Sequence, residues 1–129
     1  MKTMKTVYVA HSREFDFRKE LYEPLRNSEI NRIYNFVLPH ENSDAPFDSK
    51  AFLKKGCSLV IAEVSYPSTG LGIELGWANL LKLPIVCISR KGAKISGSLK
   101  AVCSEFIEYS GATGLIEQLT PVLIKFLSK

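Results

Sequence analysis

The chain has 129 residues, of which 46% are hydrophobic and 23% charged, and its net charge is +4. This length suits a single domain over residues 1–129, and the apolar content is enough to bury a core, which excludes disorder as the dominant state. The mild, scattered basic excess argues against a nucleic-acid surface, and the apolar runs are shorter than the about 20 residues that a membrane-spanning helix needs.

Apolar runs alternate with amphipathic segments along the chain. The runs typical of β-strands are Thr6–Ala10, Arg32–Leu38, Ser58–Val64, Pro84–Ser89 and Glu105–Tyr109. The segments with helical spacing are Arg13–Asn27, Ser49–Lys55, Ser68–Lys82, Ser98–Val102 and Thr113–Leu127. Pro24 is expected to kink the first helix or end it early. The polar stretch Pro39–Asp48 contains two prolines and predicts a long loop.

This alternation of strands and helices predicts one α/β domain with a five-stranded parallel sheet and helices on both faces. The architecture would be doubly wound, of the Rossmann or flavodoxin-like kind. Such sheets bind ligands at the carboxyl ends of their strands, where the strand order reverses. The residues after strands one, three and four are therefore the first candidates for a site.

The first strand is followed by His11, Ser12, Arg13 and Glu14, without the glycine pattern of a dinucleotide-binding loop. Ser12 has two interpretations: it caps the following helix, or it contacts a bound anion. His11 is interpreted as a polar neighbour of the strand end. His40 has no partner at metal-ligand spacing and receives no role, and no metal is expected.

The third strand leads into a loop with the sequence SYPSTGLG, which enters a helix. Gly70 and Gly72 allow the backbone to come close to a ligand, and the start of the helix offers unpaired N–H groups. Together with Ser68, these features indicate an anion-binding loop.

Glu74 shares a helical stripe with Leu71, Ala78 and Leu81. A carboxylate on an apolar stripe is either satisfied structurally or faces a cleft as a catalytic group, because burying it without a partner is costly. A carboxylate beside a sugar suits cleavage of a glycosidic bond. Glu63 and Asp48 are the candidate companion acids.

The three cysteines, Cys57, Cys87 and Cys103, are odd in number and have apolar neighbours without a CxxC spacing. This pattern argues against a disulfide framework and against a zinc site, so we interpret them as reduced core thiols. The amino-terminal residues lack the apolar region of a signal peptide, which predicts a cytoplasmic protein.

The region around Glu74 resembles the signature of the nucleoside 2-deoxyribosyltransferase-like superfamily; it reads AEVSYPSTGLGIELGWANLLKLPIVCI. The 2'-deoxynucleoside 5'-phosphate N-hydrolase branch is the most similar, and the amino-terminal VYVAHS shares the likeness. The resemblance implies a Rossmann-like domain, usually dimeric, that cleaves the N-glycosidic bond of a nucleoside or nucleotide. It implies no metal or organic cofactor.

The resemblance also assigns the catalytic positions. Glu74 matches the family's nucleophilic glutamate, and Tyr8 matches a tyrosine near that glutamate and the sugar. The hydrolase branch has an aspartate before the third strand, where an ungapped count places Lys50 and a gap would place Asp48. The branch also has an arginine shortly after the first serine; Glu14 stands at that position, and the nearest arginine comes one residue earlier.

The resemblance further implies a phosphate site. Ser12 and Ser68 match phosphate-binding serines, and Gly70 would offer its amide. The transferases usually carry an aspartate for the free 5'-hydroxyl where this chain has Ser68, and a hydroxyl accepts a phosphate that a carboxylate would repel. Ser96, or Ser98 if the register shifts, looks like the serine that reaches the phosphate site of a neighbouring subunit.

The sequence thus predicts cleavage of a nucleoside 5'-monophosphate, with a deoxyribose sugar expected, and release of the free base. Two alternatives stay open. The protein transfers a deoxyribosyl group between bases, or it is a diverged module that binds nucleotides without catalysis.

Overall fold

A computed structural model describes residues 4–128, which form the predicted α/β domain; the predicted span of 1–129 extends beyond them at both ends. The strands are β1 (Thr6–His11), β2 (Asn35–Val37), β3 (Leu59–Glu63), β4 (Ile85–Arg90) and β5 (Glu105–Tyr109). The α-helices are α1 (Glu23–Arg26), α2 (Ser49–Lys55), α3 (Thr69–Leu80) and α4 (Gly111–Leu127). No helix in this described part is long and apolar enough to cross a membrane.

The five strands form one parallel sheet in the order β2-β1-β3-β4-β5. The chain first adds β2 on one side of β1 and then crosses to the other side to add β3. The strand order therefore reverses between β1 and β3, the place where doubly wound sheets open a crevice. The predicted fold class is confirmed.

Each face of the sheet carries its own apolar core, because successive side chains of a strand point to opposite faces. Val7 and Val9 of β1 face the layer that contains α1 and α4. Tyr8 and Ala10 of the same strand face the layer that contains α2 and α3. Strands buried on both faces are apolar almost throughout, which explains the continuous run in β3.

The first helical segment differs from its prediction of Arg13–Asn27. It begins with a wide π-helical turn at Arg18–Tyr22 and continues as α1. The Glu23 amide bonds to the carbonyl oxygen of Arg18, five residues back, and Pro24 follows at once. The wide turn accommodates a proline, whose ring would otherwise meet the preceding turn.

The second strand is shorter than its predicted span of Arg32–Leu38. Residues Glu29–Arg32 form a 3-10 turn, and only Asn35–Val37 pair with β1 at the sheet edge. The other elements begin and end close to their predicted bounds, and α2 and β5 match them.

The interpretation of all three cysteines as reduced thiols is wrong for two of them. Cys87 in β4 is joined by a disulfide to Cys103, and Cys57 is free. The chain turns back through a 3-10 turn, Gly97–Ala101, before β5, which brings the two α-carbons to 6.2 Å. Their spacing of 16 residues carries no local motif, so the sequence alone gave no sign of the pairing.

Candidate active site

A cleft of about 440 Å³ opens at the carboxyl ends of β1, β2 and β3. It lies at the β1/β3 reversal, where the fold predicts a ligand site. Loops after three strands, the start of α2 and the first three turns of α3 form its walls; the lining residues are His11, Arg13, Glu14, Pro39, His40, Ser49, Ser68, Gly70, Leu71, Ile73, Glu74 and Trp77.

Glu74 lies on the second turn of α3, half-buried in the wall of this cleft. The Tyr8 hydroxyl donates a hydrogen bond to Oε2 of Glu74 at 2.9 Å. This confirms the expectation that Tyr8 lies within hydrogen-bond reach of Glu74. Glu74 is thus a partnered carboxylate with its side chain at a cleft rather than in open solvent.

Tyr8 is held rigidly by its position in β1. Its side chain is fully buried, and its ring contacts Phe47 and Phe52, with centroids 5.9 and 5.5 Å away. Burial raises the pKa of Tyr8 far above its ordinary value, and the negative charge of Glu74 raises it further. Tyr8 therefore stays protonated and acts as a fixed donor.

Ser68 begins α3 as its N-cap, and its Oγ accepts a hydrogen bond from the Leu71 amide at 3.3 Å. Ser68 and Gly70 both line the cleft, so the first turn of α3 presents its amide groups there. A Cβ added to Gly70 would meet nothing within 4 Å, which places this residue beside open space. The predicted loop and Glu74 are therefore brought together in one cleft.

Ser12 follows β1 directly, at the edge of the sheet where the cleft opens. It is buried, and its Oγ accepts a hydrogen bond from the Glu14 amide at 3.1 Å. It is not a helix cap, because the helical segment begins at Arg18. Its neighbours His11, Arg13 and Glu14 line the cleft, and Ser12 fixes the turn that carries them.

Ser96 and Ser98 lie outside the cleft that contains Glu74. They line a second cavity of about 550 Å³ between α3 and the Gly97–Ala101 turn. This cavity shares Ser68 and Leu71 with the first one. Ser96 caps its own turn by accepting a hydrogen bond from the Ser98 amide.

Neither of the two candidate companion acids is among the residues that line the cleft. Asp48 is the N-cap of α2, and its carboxylate accepts a hydrogen bond from the Ala51 amide at 3.1 Å. Glu63 lies on the opposite face of the sheet, where the Tyr109 hydroxyl donates to it. The interpretation of Glu63 as a companion acid beside Glu74 is wrong, because alternation along β3 turns its side chain toward the α4 layer.

His11, interpreted from the sequence as a polar neighbour of the strand end, is the last residue of β1 and is buried. Its Nδ1 lies 2.7 Å from the carbonyl oxygen of Ser12, and its Nε2 lies 2.6 Å from the Tyr22 hydroxyl. Because a carbonyl can only accept, Nδ1 carries the proton and the hydroxyl donates to Nε2. Burial lowers the pKa of His11 to about 4, so the ring is neutral at neutral pH.

His40, to which the sequence assigned no role, lines the cleft opposite α3. Its amide donates a hydrogen bond to the Tyr22 hydroxyl at 3.1 Å. Burial lowers the pKa of His40, and the nearby Arg13 lowers it further. Its sequence signal is its position three residues after β2, whereas the predicted candidates followed strands one, three and four.

The cleft edge combines positive and negative groups. Arg13 and Arg18 both pair with Asp44 in the loop before α2, at 3.5 and 2.6 Å. Lys50 lies with its Nζ 5.8 Å from the centre of the Trp77 ring. Among residues 4–128, no group of three histidine, cysteine, aspartate or glutamate side chains is placed to hold a metal ion.

Solved structures that share this fold include the following two. One is the CMP N-glycosidase BcmB of Clostridium botulinum, which is 21% identical with a TM-score of 0.62, over 89% of this chain and 98% of that chain. The other is a conserved protein from Enterococcus faecalis V583, 17% identical with a TM-score of 0.59, over 94% of this chain and 100% of that chain. No protein-family model matches the sequence, and no curated protein matches it.

Proposed function

We propose that this protein is an N-glycosidase that cleaves the bond between base and sugar in a nucleoside 5'-monophosphate. The observation that carries the proposal is the Glu74 carboxylate, held by Tyr8 at a switch-point cleft beside the first turn of α3. The similar fold of a protein described as a CMP N-glycosidase supports the same class of reaction.

Glu74 would act as the nucleophile. Tyr8 engages Oε2, and Oε1 would attack C1' of the sugar as the bond from C1' to the base nitrogen breaks. The bonding electrons leave with the base, which takes up a proton. Water then attacks C1' of the glycosyl ester, releasing the sugar 5-phosphate, a proton and the free carboxylate of Glu74.

The phosphate would bind at the first turn of α3. Ser68 uses its oxygen to accept from the Leu71 amide, which leaves its hydroxyl proton to donate to a phosphate. The Gly70 amide and the positive end of the helix add to this attraction. Arg13 at the same cleft supplies a positive charge, with Ser12 fixing its turn.

A homodimer is part of the proposal. Helix α3 exposes Ile73, at the rim of the cleft, and Leu80, and their exposed fractions are 48% and 82%. A second copy covering this face would bring another set of Ser96 and Ser98 near the phosphate. Mixing a Ser96→Ala/Ser98→Ala double variant with Glu74→Ala would restore activity if these serines act across subunits.

The deciding experiment incubates the protein with matched nucleosides and 5'-monophosphates, in ribo and deoxyribo forms, with and without an added free base. Chromatography of the products measures free base and sugar phosphate. Free base and sugar phosphate from a monophosphate alone establish hydrolysis, whereas a new nucleotide formed only with the added base indicates transfer. If a monophosphate binds but neither free base nor a new nucleotide forms, the protein is a nucleotide-binding module without this activity.

A further inference from the structure

Glu63 is a buried carboxylate that the proposed reaction does not use. Its side chain is fully buried at the carboxyl end of β3. It accepts hydrogen bonds from the Ser65 amide at 2.6 Å, from the Ser65 hydroxyl at 3.0 Å and from the Tyr109 hydroxyl. Burial raises the pKa of Glu63, so these donors are needed to hold its negative charge.

Ser65 extends this cluster to the neighbouring strand. Its hydroxyl donates to Glu63 and also accepts a hydrogen bond from the Arg90 amide at 2.8 Å, at the end of β4. Both polar groups of Ser65 that contact Glu63 belong to the turn that leads from β3 to Ser68. The position of that turn relative to the sheet is therefore set by a carboxylate on the far face.

Arg90 and Tyr66 connect the same turn to the loop after β1. The Arg90 guanidinium donates to the Tyr66 hydroxyl at 2.6 Å. The Tyr66 ring stacks on Phe15 with centroids 4.9 Å apart and planes 14° from parallel. Phe15 follows the turn that Ser12 fixes, so this stack joins the two loops proposed to hold the phosphate.

We propose that Glu63 is a positioning residue for the phosphate site. Through its hydrogen bonds to Ser65, it fixes the position of Ser68 and the first turn of α3 relative to the loop that contains Ser12. A dianion held by directed N–H and O–H groups loses affinity when those groups move by a fraction of an ångström. This inference rests on the proposed function, and it predicts a defect that is specific to the phosphate.

The test replaces Glu63 by glutamine, which keeps the shape but presents an NH₂ group to donors. Calorimetry in the Glu74→Gln background, where turnover is blocked, measures binding of cytidine 5'-monophosphate and of cytidine. Glu63→Gln should weaken monophosphate binding about tenfold and nucleoside binding less than twofold. With Glu74 present, KM for the monophosphate should rise about tenfold at nearly constant kcat.

The matched control is Glu108→Gln on β5, an exposed carboxylate that should change neither affinity. If Glu63→Gln does not fold by circular dichroism, Ser65→Ala provides the second variant, because it removes the hydroxyl bridge to Arg90 and keeps the Ser65 amide. Equal losses for monophosphate and nucleoside, or no loss for either, would overturn the positioning role.

The experiment separates this inference from the proposed function. Suppose that the parent protein binds the monophosphate more tightly than the nucleoside but releases no base. This result would refute the glycosidase activity, and the affinity measurements would still test the role of Glu63. A parent protein that shows no preference for the phosphorylated ligand would overturn both the phosphate site and the positioning role.

Discussion

The Tyr8 hydroxyl and the Glu74 carboxylate meet at 2.9 Å across 66 residues of sequence. One partner belongs to the first strand and the other to the helix after the third strand. The contact joins the buried interior of β1 to a helix that lines the cleft at the β1/β3 reversal. The Glu74 carboxylate is thus oriented by a donor on the sheet rather than by one on a loop.

Replacing Glu74 should abolish base release while the protein stays folded. Glu74→Gln keeps the size and removes the charge, and Glu74→Ala removes the group. Both should lower kcat on the order of 10³-fold or more, since only the anion attacks C1'. Chromatography of released base measures this, with Glu117→Gln, an exposed residue of α4, as the control. Near-parental release by the Gln variant would make Glu74 a structural carboxylate.

Tyr8→Phe should reduce kcat and leave KM nearly unchanged. The phenyl ring preserves the contacts with Phe47 and Phe52, and only the donor to Glu74 is lost. We expect a decrease on the order of 10- to 100-fold in kcat, and about 1 kcal/mol less stability. In the Glu74→Gln background the substitution should have little further effect on kcat. If the decreases in kcat caused by the two substitutions are additive in the double variant, Tyr8 and Glu74 do not act together.

Ser68→Asp should discriminate between ligands. Aspartate is also a good N-cap, so α3 keeps its first turn, but the added charge repels a phosphate. Monophosphate binding should weaken about a hundredfold, and nucleoside binding should hardly change. Ser68→Asn provides the uncharged control with the same capping ability. Parallel losses for both ligands in a calorimetric titration would place the phosphate elsewhere.

The stability of the protein should depend on His11 below neutral pH. Its pKa is lowered to about 4 in the fold, so the unfolded chain binds the extra proton first as the pH falls. The free energy of unfolding therefore decreases between about pH 6.5 and pH 4, by on the order of 3 kcal/mol in total from this group. Above pH 7 the contribution is constant.

Urea denaturation at pH 7.5 and pH 5 checks this slope. Glu63 contributes with the opposite sign, because burial raises its pKa. The informative quantity is the difference between the parent and His11→Asn, which removes the titration. An unchanged pH slope in that variant would show that His11 does not carry the effect.

The sequence predicted the architecture well, for a physical reason. The buried strands are continuous apolar runs, and α2 and β5 are bounded by clear polar and turn residues, so local pattern and final structure agree. The predicted start of the first helix was wrong, because residues 12–16 form the loop at the cleft instead. The loop conformation depends on the packing of Phe15 against Tyr66, a contact between distant residues that local sequence spacing does not encode.

The site was predictable only in part. The position of Glu74 on an apolar helical stripe indicated a cleft-facing carboxylate, and the family resemblance added Tyr8. The role of Glu63 was misjudged because its nearness in sequence to the loop suggested nearness in space, whereas strand alternation sends it to the other face. The Cys87–Cys103 bond and the place of His40 depend on how distant segments return to the sheet.

The alternation along β3 makes this protein sensitive to one kind of change above others. Ala62 and Glu63 point to opposite faces, so deleting one residue upstream in the strand would exchange the two layers' side chains at every later position. A carboxylate would enter the apolar α3 layer, and the turn before Ser68 would lose its anchor. Substitutions of one apolar residue by another should therefore be tolerated in β3, whereas insertions and deletions should not.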